Sequence, residues 1–533
     1  MNTKFIRNIA LAGILTVSAA ACEQNLDITP KYDVVSDRVY QDFANYKPIL
    51  AKLYAGYAVT GQQGPAGRPD IGGIDEGFSN YLRQYWQAQE LTTDEAVIGW
   101  NDGNLRDLHD MDWTSGNEFL RALYDRIFYQ ISLTNEFVRE TTEEKLNSRG
   151  ITGANLEAAK QFHAEARFLR ALSYWHALDL YGNVPFVTEE DPVGFFLPEQ
   201  TTRADLFNYI ESELLAIEND LVNARQNEYG RADKAAAWTL LTKLYLNAQV
   251  YTGQPKYTEA VTYAKKVIDA GYTLEPDYDH LFLADNNRSS EIIFAITFDG
   301  RRTTTWGGMT YLVHAPVGGS MSASEFGING GWGGLRTTRA IVEKFSDTSG
   351  NTDDRANFYT NGQSLEINDL FTFTDGYAIA KWRNVTSTGQ VGSDASGDHP
   401  DTDFPMFRLA DVYLMYAEAV LRGGAGGDLG TALQLVNELR DRAYIDPANG
   451  SITQSQLNLD FILDERAREL HWEAHRRTDL IRYNRFTSDS YLWPWKGGVK
   501  EGKGVEQFRI LFPLPSTDLT ANPNLDQNPG YTR

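Results

Sequence analysis

Apolar residues recur at three- and four-residue spacing over most of this chain. Val39, Phe43, Tyr46, Leu50, Leu53 and Tyr57 share one helical face, and Phe119, Leu123, Ile127, Ile131 and the region of Phe137 repeat the pattern. The same periodicity predicts helices over 156–180, 204–222, 232–251, 257–270, 409–421, 429–443 and 459–470. Between 285 and 403 it lapses. Gly, Thr, Asn and Ser rise there, and short apolar runs such as 292–298 read as strands. So long a stretch without helices is expected to carry function rather than scaffold.

The helices come in pairs. Trp238, Leu241, Thr242 and Tyr245 match the first-helix spacing of a tetratricopeptide unit, and Ala260, Ala264 and Val267 supply the second helix. The connection through Gly253-Gln254-Pro255 is longer than the standard repeat allows. Val412, Met415, Tyr416 and Ala419, then Ala432, Val436 and Leu439, repeat the scheme more loosely. Small residues let paired helices approach, while the remaining apolar face of each pair needs a neighbour. These stripes are therefore core. The expected fold is mainly α, a tetratricopeptide-like helix-pair scaffold with a large irregular region of loops and short strands.

Ahead of the helices, Lys4 and Arg7 form a positive segment, 9–17 is apolar, and small residues lead into Cys22. This is the order of a secretory signal, and it is too short to span a bilayer. Ala19-Ala20-Ala21-Cys22 resembles a bacterial lipobox, with Ala19 where leucine is usual. Residues 1–21 are thus expected to be a lipoprotein signal peptide, with Cys22 lipidated. Cys22 is the only cysteine, which excludes a disulfide framework and a thiolate zinc site. The formal charge is −23, more negative still without Lys4 and Arg7, and no Lys/Arg stripe offsets it. Such a chain repels nucleic-acid phosphates. Aromatics make up 12% of residues, with 11 Trp and 28 Tyr, which leaves rings to spare for a stacking surface.

Catalytic readings fare poorly. Glu465 and Glu469, four apart, could form a glycosidase carboxylate pair, but Arg466, Arg468, Arg476 and Arg477 surround them, so ion pairing within the scaffold is the expectation. His471 and His475 flank Glu473 as His-x-Glu-x-His, not the order of zinc proteases. Gly423 to Gly427 lacks the ending of a phosphate cradle and reads as a helix–helix turn. No Gly-x-Ser-x-Gly elbow occurs. No catalytic residue, metal ligand or cofactor is assigned, although acidic loops such as 277–285 leave a structural calcium open.

Sugar binding needs other parts: rings for the apolar pyranose faces, and Asp, Asn, Gln or Arg for the hydroxyls. The stretch from Leu91 ends in a polar loop presenting Trp100 beside Asn101, Asp102 and Asn104. Trp306 in Thr305-Trp306-Gly307-Gly308 and Trp332 in Gly331-Trp332-Gly333-Gly334 have small neighbours that leave ring faces open.

Four further stretches carry a resemblance to a known family. The first is Glu165-Ala166-Arg167-Phe168-Leu169-Arg170-Ala171, running on to Leu180-Tyr181-Gly182-Asn183-Val184-Pro185. The second runs from Arg408 through Asp411 to Ala419, with Asn437 and Arg440-Asp441-Arg442-Ala443 behind it. The third is Ile462-Leu463-Asp464-Glu465-Arg466-Ala467-Arg468-Glu469-Leu470, followed by His475-Arg476 and Asp479-Leu480. The fourth is Phe512-Pro513-Leu514-Pro515, then Asn522-Pro523-Asn524 and Gln527-Asn528-Pro529-Gly530-Tyr531. In this order, behind a lipobox, they resemble the SusD/RagB-like surface lipoproteins. His471-Trp472-Glu473-Ala474 departs from the family's smaller, glycine-rich segment.

The resemblance implies a SusD-like fold with an N-terminal helical region over 22–284 and a C-terminal region over 285–533 packed on the same core. It implies a lipid-anchored protein on the outer-membrane surface that lids a SusC-like, TonB-dependent transporter. The Thr92-Thr93-Asp94-Glu95-Ala96…Trp100 stretch is similar to that of starch-binding members, which cradle α-glucan in an arc of aromatics. By that likeness Asp75 and Arg83 would bond sugar hydroxyls with Asp102 and Asn104, and the arc would be Trp100 and Trp332 with Trp306 or Tyr311. The expected ligand is an oligo- or polysaccharide of the α-1,4-glucan type, with a fructan or other glycan as the alternative. A glycoside hydrolase built on Glu465 and Glu469, or a purely structural lid, are readings of other classes.

Overall fold

The computed structural model describes residues 36–532, so the expected signal peptide over 1–21 and Cys22 lie outside the described residues. The longer helices of the first half are α1 (Tyr46–Ala55), α2 (Tyr81–Glu90), α3 (Glu118–Glu140), α4 (Ala154–Leu180), α5 (Arg203–Ile217), α6 (Lys234–Leu246) and α7 (Tyr257–Ile268). Then come α8 (Gly308–His314), α9 (Leu409–Leu421), α10 (Leu429–Ala443), α11 (Leu459–Leu470) and α12 (Arg476–Arg482). Side-chain caps set several starts. Asn117 accepts from Phe119 N and Leu120 N at α3, Asp428 from Thr431 N at α10, and Asn458 from Phe461 N at α11. The helices expected over 409–421, 429–443 and 459–470 are observed with those bounds. The one expected over 204–222 stops at Ile217, and that over 232–251 breaks at Asn247 into two.

Helix α6 packs on α7, α7 on α9, and α9 on both α10 and α11. The two helix pairs therefore stack as one array, and Leu241, Tyr245, Ala260, Ala264, Val412, Tyr416 and Val436 are buried within it. Four short strands matter: β1 (Ala96–Ile98), β2 (Ile292–Ile296), β3 (Leu335–Thr337) and β4 (Phe404–Arg408). Antiparallel pairing of β2 with β4 joins the two ends of the irregular region, so the chain leaves and re-enters the scaffold at one place. That region is not free of helix, as its sequence suggests, since it holds α8. Every residue of α8 is buried, so it has no polar face and no readable periodicity.

Glu465 and Glu469 are fully buried and ion-paired. Arg355, Arg440 and Arg468 hold Glu465, while Arg355, Arg408 and Arg442 hold Glu469. Of the arginines adjacent in sequence only Arg468 serves. Arg466 turns to Asp411 and Asp479, and Arg476 to Asp94. Glu165 pairs with Arg231, and Arg167 and Arg170 share Glu213 across helices. The helical geometry that His471 and His475 would need ends at Leu470, where Trp472 and Ala474 take φ of 63° and 64°. Among the described residues no three His, Cys, Asp or Glu are placed to hold a metal.

One buried pair gives stability a pH dependence. Burial raises the carboxyl of Glu90 well above its usual range, with Glu95 adding to the shift, and it raises that of Glu95 to about 7 against the pull of Arg476 and the hydrogen bond from Glu90. Backbone amides of His475 and Trp472 donate to the pair at 3.2 and 3.0 Å. Folded values above the unfolded ones mean stability that is complete below the ordinary glutamate range and lost as pH rises through about 7. The melting midpoint should therefore fall between about pH 5 and about pH 8. Glu90→Gln should flatten that slope, and an unaltered slope would exclude the pair as its source.

Candidate functional site

Two loops distant in sequence meet through the β1–β3 ladder. Ala96 faces Thr337, Val97 faces Arg336 and Ile98 faces Leu335, and Gly99 N donates to Gly334 O at 2.9 Å. Trp100 lies just past the end of β1 and Trp332 just before β3. An antiparallel pair puts these at the same end. A Cβ on Gly334 would stand 2.4 Å from the Trp100 ring, so only glycine admits this approach. Trp100 Nε1 donates to Trp332 O at 3.4 Å, and the ring centroids are 6.2 Å apart. Trp306, immediately before α8, lies 6.4 Å beyond Trp332. The three rings form a continuous arc, each partly exposed.

The Thr92-Thr93-Asp94-Glu95 stretch holds this arc in place rather than touching a ligand. Asp94 takes two 2.7 Å bonds from Arg476, and Thr337 Oγ1 donates to Glu95 O at 2.8 Å. All four residues are buried.

Two histidines that sequence reasoning missed support the rings. His314, the last residue of α8, stacks on Trp332 with centroids 4.9 Å apart and planes at 23°. Its Nδ1 lies 2.7 Å from Gly330 O and its Nε2 2.9 Å from Asp398 O, while its own carbonyl accepts from Trp332 N at 2.9 Å. His399 sits 5.2 Å from Trp306. Neither belongs to a motif, because each acts through tertiary ring and backbone contacts that leave no local pattern.

Arg83, near the start of α2, brings a cation to the arc. Its backbone N–H donates to the capping Asn80 Oδ1 at 2.9 Å. Its guanidinium lies 4.4 Å over the Tyr311 ring and 5.8 Å from Trp100. Nη1 reaches Trp306 O at 3.4 Å and Gly77 O at 3.5 Å, and Nε is buried with no partner among the described residues. Burial lowers its pKa, and Tyr311, Asp102 and Asp75 oppose that shift. Arginine stays charged throughout.

Asp75 and Asp102 are exposed near this cation. Asp75 Oδ1 accepts from Phe78 N at 3.0 Å, shaping the turn that passes Trp306. Two expected ligands are used differently. Tyr311 is completely buried, with its hydroxyl accepting from Gln87 Nε2 at 3.1 Å, so Trp306 rather than Tyr311 completes the exposed arc. Asn104 spends its amide on Gly116 O at 3.3 Å and Glu118 N at 3.1 Å, pinning its loop to the start of α3.

A helical scaffold thus presents three fixed indole rings beside a largely buried cation and two exposed carboxylates, the residue types that pack on sugar faces and bond sugar hydroxyls. The chain belongs to the SusD family. The SusD family model matches residues 352–531. Starch-binding protein SusD of Bacteroides thetaiotaomicron is 36% identical over the whole of both chains. A SusD-like protein of Bacteroides ovatus is 26% identical, covering 78% of this chain and 82% of that one. Among solved structures, a SusD superfamily protein of Parabacteroides distasonis superposes with TM-score 0.70 at 23% identity, over 92% of this chain and 99% of the other. Surface glycan-binding protein A of B. thetaiotaomicron, in complex with laminarihexaose, gives TM-score 0.69 at 20% identity over 91% and 99%. The helix-pair architecture expected from the motifs is the one these chains share.

Proposed function

We propose that this protein is a lipid-anchored, cell-surface glycan-binding lipoprotein of the outer membrane that captures oligo- and polysaccharides of the α-1,4-glucan type. It hands them to a TonB-dependent, SusC-like transporter. The observation that carries the reading is the Trp100–Trp332–Trp306 arc with Arg83, Asp75 and Asp102 at its edge. Rings about 6 Å apart suit successive sugar units, and the charged groups suit their hydroxyls. Full-length similarity to a protein named for starch binding favours α-glucan over fructan.

The protein acts on this reading without catalysis or cofactor. Glu465 and Glu469, the acids a hydrolase would need, are inaccessible and saturated by arginines. Affinity gel electrophoresis with starch, levan, inulin, xylan and mannan tests the assignment. Retardation by starch is the expected result, retardation by levan or inulin alone would move the ligand to a fructan, and migration unchanged by all five would reject glycan capture.

A further inference from the structure

Past Trp332 the surface continues over bare backbone. Gly333 N donates to Val317 O at 2.9 Å, so the 317–319 and 331–334 segments run side by side. A Cβ placed on Gly318 would stand 2.8 Å from Gly333 Cα and 2.9 Å from Phe373 Cε1. Cβ atoms on Gly319 and Gly333 would fall 3.5 and 3.9 Å from the same ring. Phe373 thus lies across two glycine segments, one of which is joined directly to Trp332. Gly318, Gly333 and Phe373 are partly exposed, and Gly319 is exposed.

Gly319 and Gly333 both have φ of +58°, where a side chain would be strained as well as obstructive. Gln363 adds a polar group at the far end. Its Nε2 donates to Phe373 O at 3.2 Å, which leaves Oε1 3.8 Å from the Gly319 Cβ position.

A second observation ties this strip to the arc. Arg336, in the middle of β3, is fully buried, and among the described residues it has no ion-pair partner. It spends its donors on three carbonyls instead: Nε on Asp375 O at 2.8 Å, Nη2 on Leu370 O at 2.7 Å and Nη1 on Gly334 O at 3.1 Å. The bonds to Leu370 and Asp375 bracket Phe373, and the bond to Gly334 fixes the segment that carries Trp332. Burying a guanidinium without a carboxylate is costly unless its donors are used. Here they hold Phe373 in register with Trp332.

We propose that Phe373 and Gln363 form an additional glycan subsite, reached from Trp332 across the glycine strip, that engages only chains longer than the tryptophan arc itself. Phe373 takes an apolar sugar face and Gln363 Oε1 accepts from a hydroxyl. The glycines let the Phe373 ring lie against the backbone that carries Trp332, where a Cβ on Gly318 would push it away. The inference rests on the glycan-capture reading above, and it makes ligand length a property read by this chain.

Isothermal titration with a short and a long oligomer of whichever polysaccharide retards the wild type separates the two. Affinity of the wild type should rise with length. Phe373→Ala should weaken the long oligomer by about tenfold and leave the short one unchanged. Gln363→Ala, which alters no ring, should show the same selectivity with a smaller loss. A wild type that binds no oligomer overturns glycan capture. A wild type that binds while neither variant loses the long oligomer selectively overturns only the subsite.

Discussion

Trp332→Ala is expected to weaken binding of the retained polysaccharide by at least about 30-fold, the equivalent of about 2 kcal/mol of lost stacking and burial. Trp332 is the middle ring of the arc, within 6.4 Å of both Trp100 and Trp306. Its removal interrupts the surface and takes away the ring that His314 supports. The fold should persist, because the ring is partly exposed and the β1–β3 ladder uses backbone groups that alanine retains. Titration gives the affinity, and a cooperative melt in circular dichroism reports the fold. Trp100→Ala should behave alike. Retained binding in both folded variants would remove the site from this surface.

The scaffold was legible because its information is local. An amphipathic helix writes its buried face at fixed spacing, so α9, α10 and α11 could be bounded from periodicity alone. Helix α8 could not, because it is buried all round. The site divides in the same way. Glycine neighbours marked Trp306 and Trp332 as loop rings, but their union with Trp100 depends on pairing Ala96–Ile98 with Leu335–Thr337, which no local pattern announces. Tyr311 has the composition of a ligand residue and the burial of a core one, since it lies beneath the Arg83 guanidinium. Phe373 carries no local mark in a sequence with 26 phenylalanines. What distinguishes it is Arg336, whose partners are carbonyls, and carbonyls have no sequence.

Arg408→Met should destabilise the protein by about 3–5 kcal/mol, the loss typical when one member of a buried ionic cluster is deleted. Arg408 closes β4 and precedes α9, and it is 1% exposed. Its guanidinium donates to Glu473 at 2.6 and 2.8 Å, Glu291 at 2.8 Å and Glu469 at 2.7 Å, all three carboxylates being fully buried or nearly so. Methionine restores the volume but leaves these acids to Arg355, Arg442 and Lys381, with one positive charge fewer in a site closed to water. Burial alone would raise Glu469, and Arg442, Arg408 and Arg355 hold it at about 2. A depressed carboxylate stabilises the fold above its ordinary range, and the effect is lost as pH falls through about 2, so the wild type gains from this cluster at neutral pH. The damage should also reach the ligand surface. Glu473 follows Trp472, whose backbone N–H and indole both donate to Glu95 at the start of β1. Urea denaturation followed by tryptophan fluorescence measures the effect. Arg302→Met is the control, since its ion pair with Asp299 is largely exposed and its loss should change stability by under about 0.5 kcal/mol. An Arg408→Met midpoint no lower than that of the control would mean that the arginine and glutamate signatures of this chain are not what holds its helix pairs together.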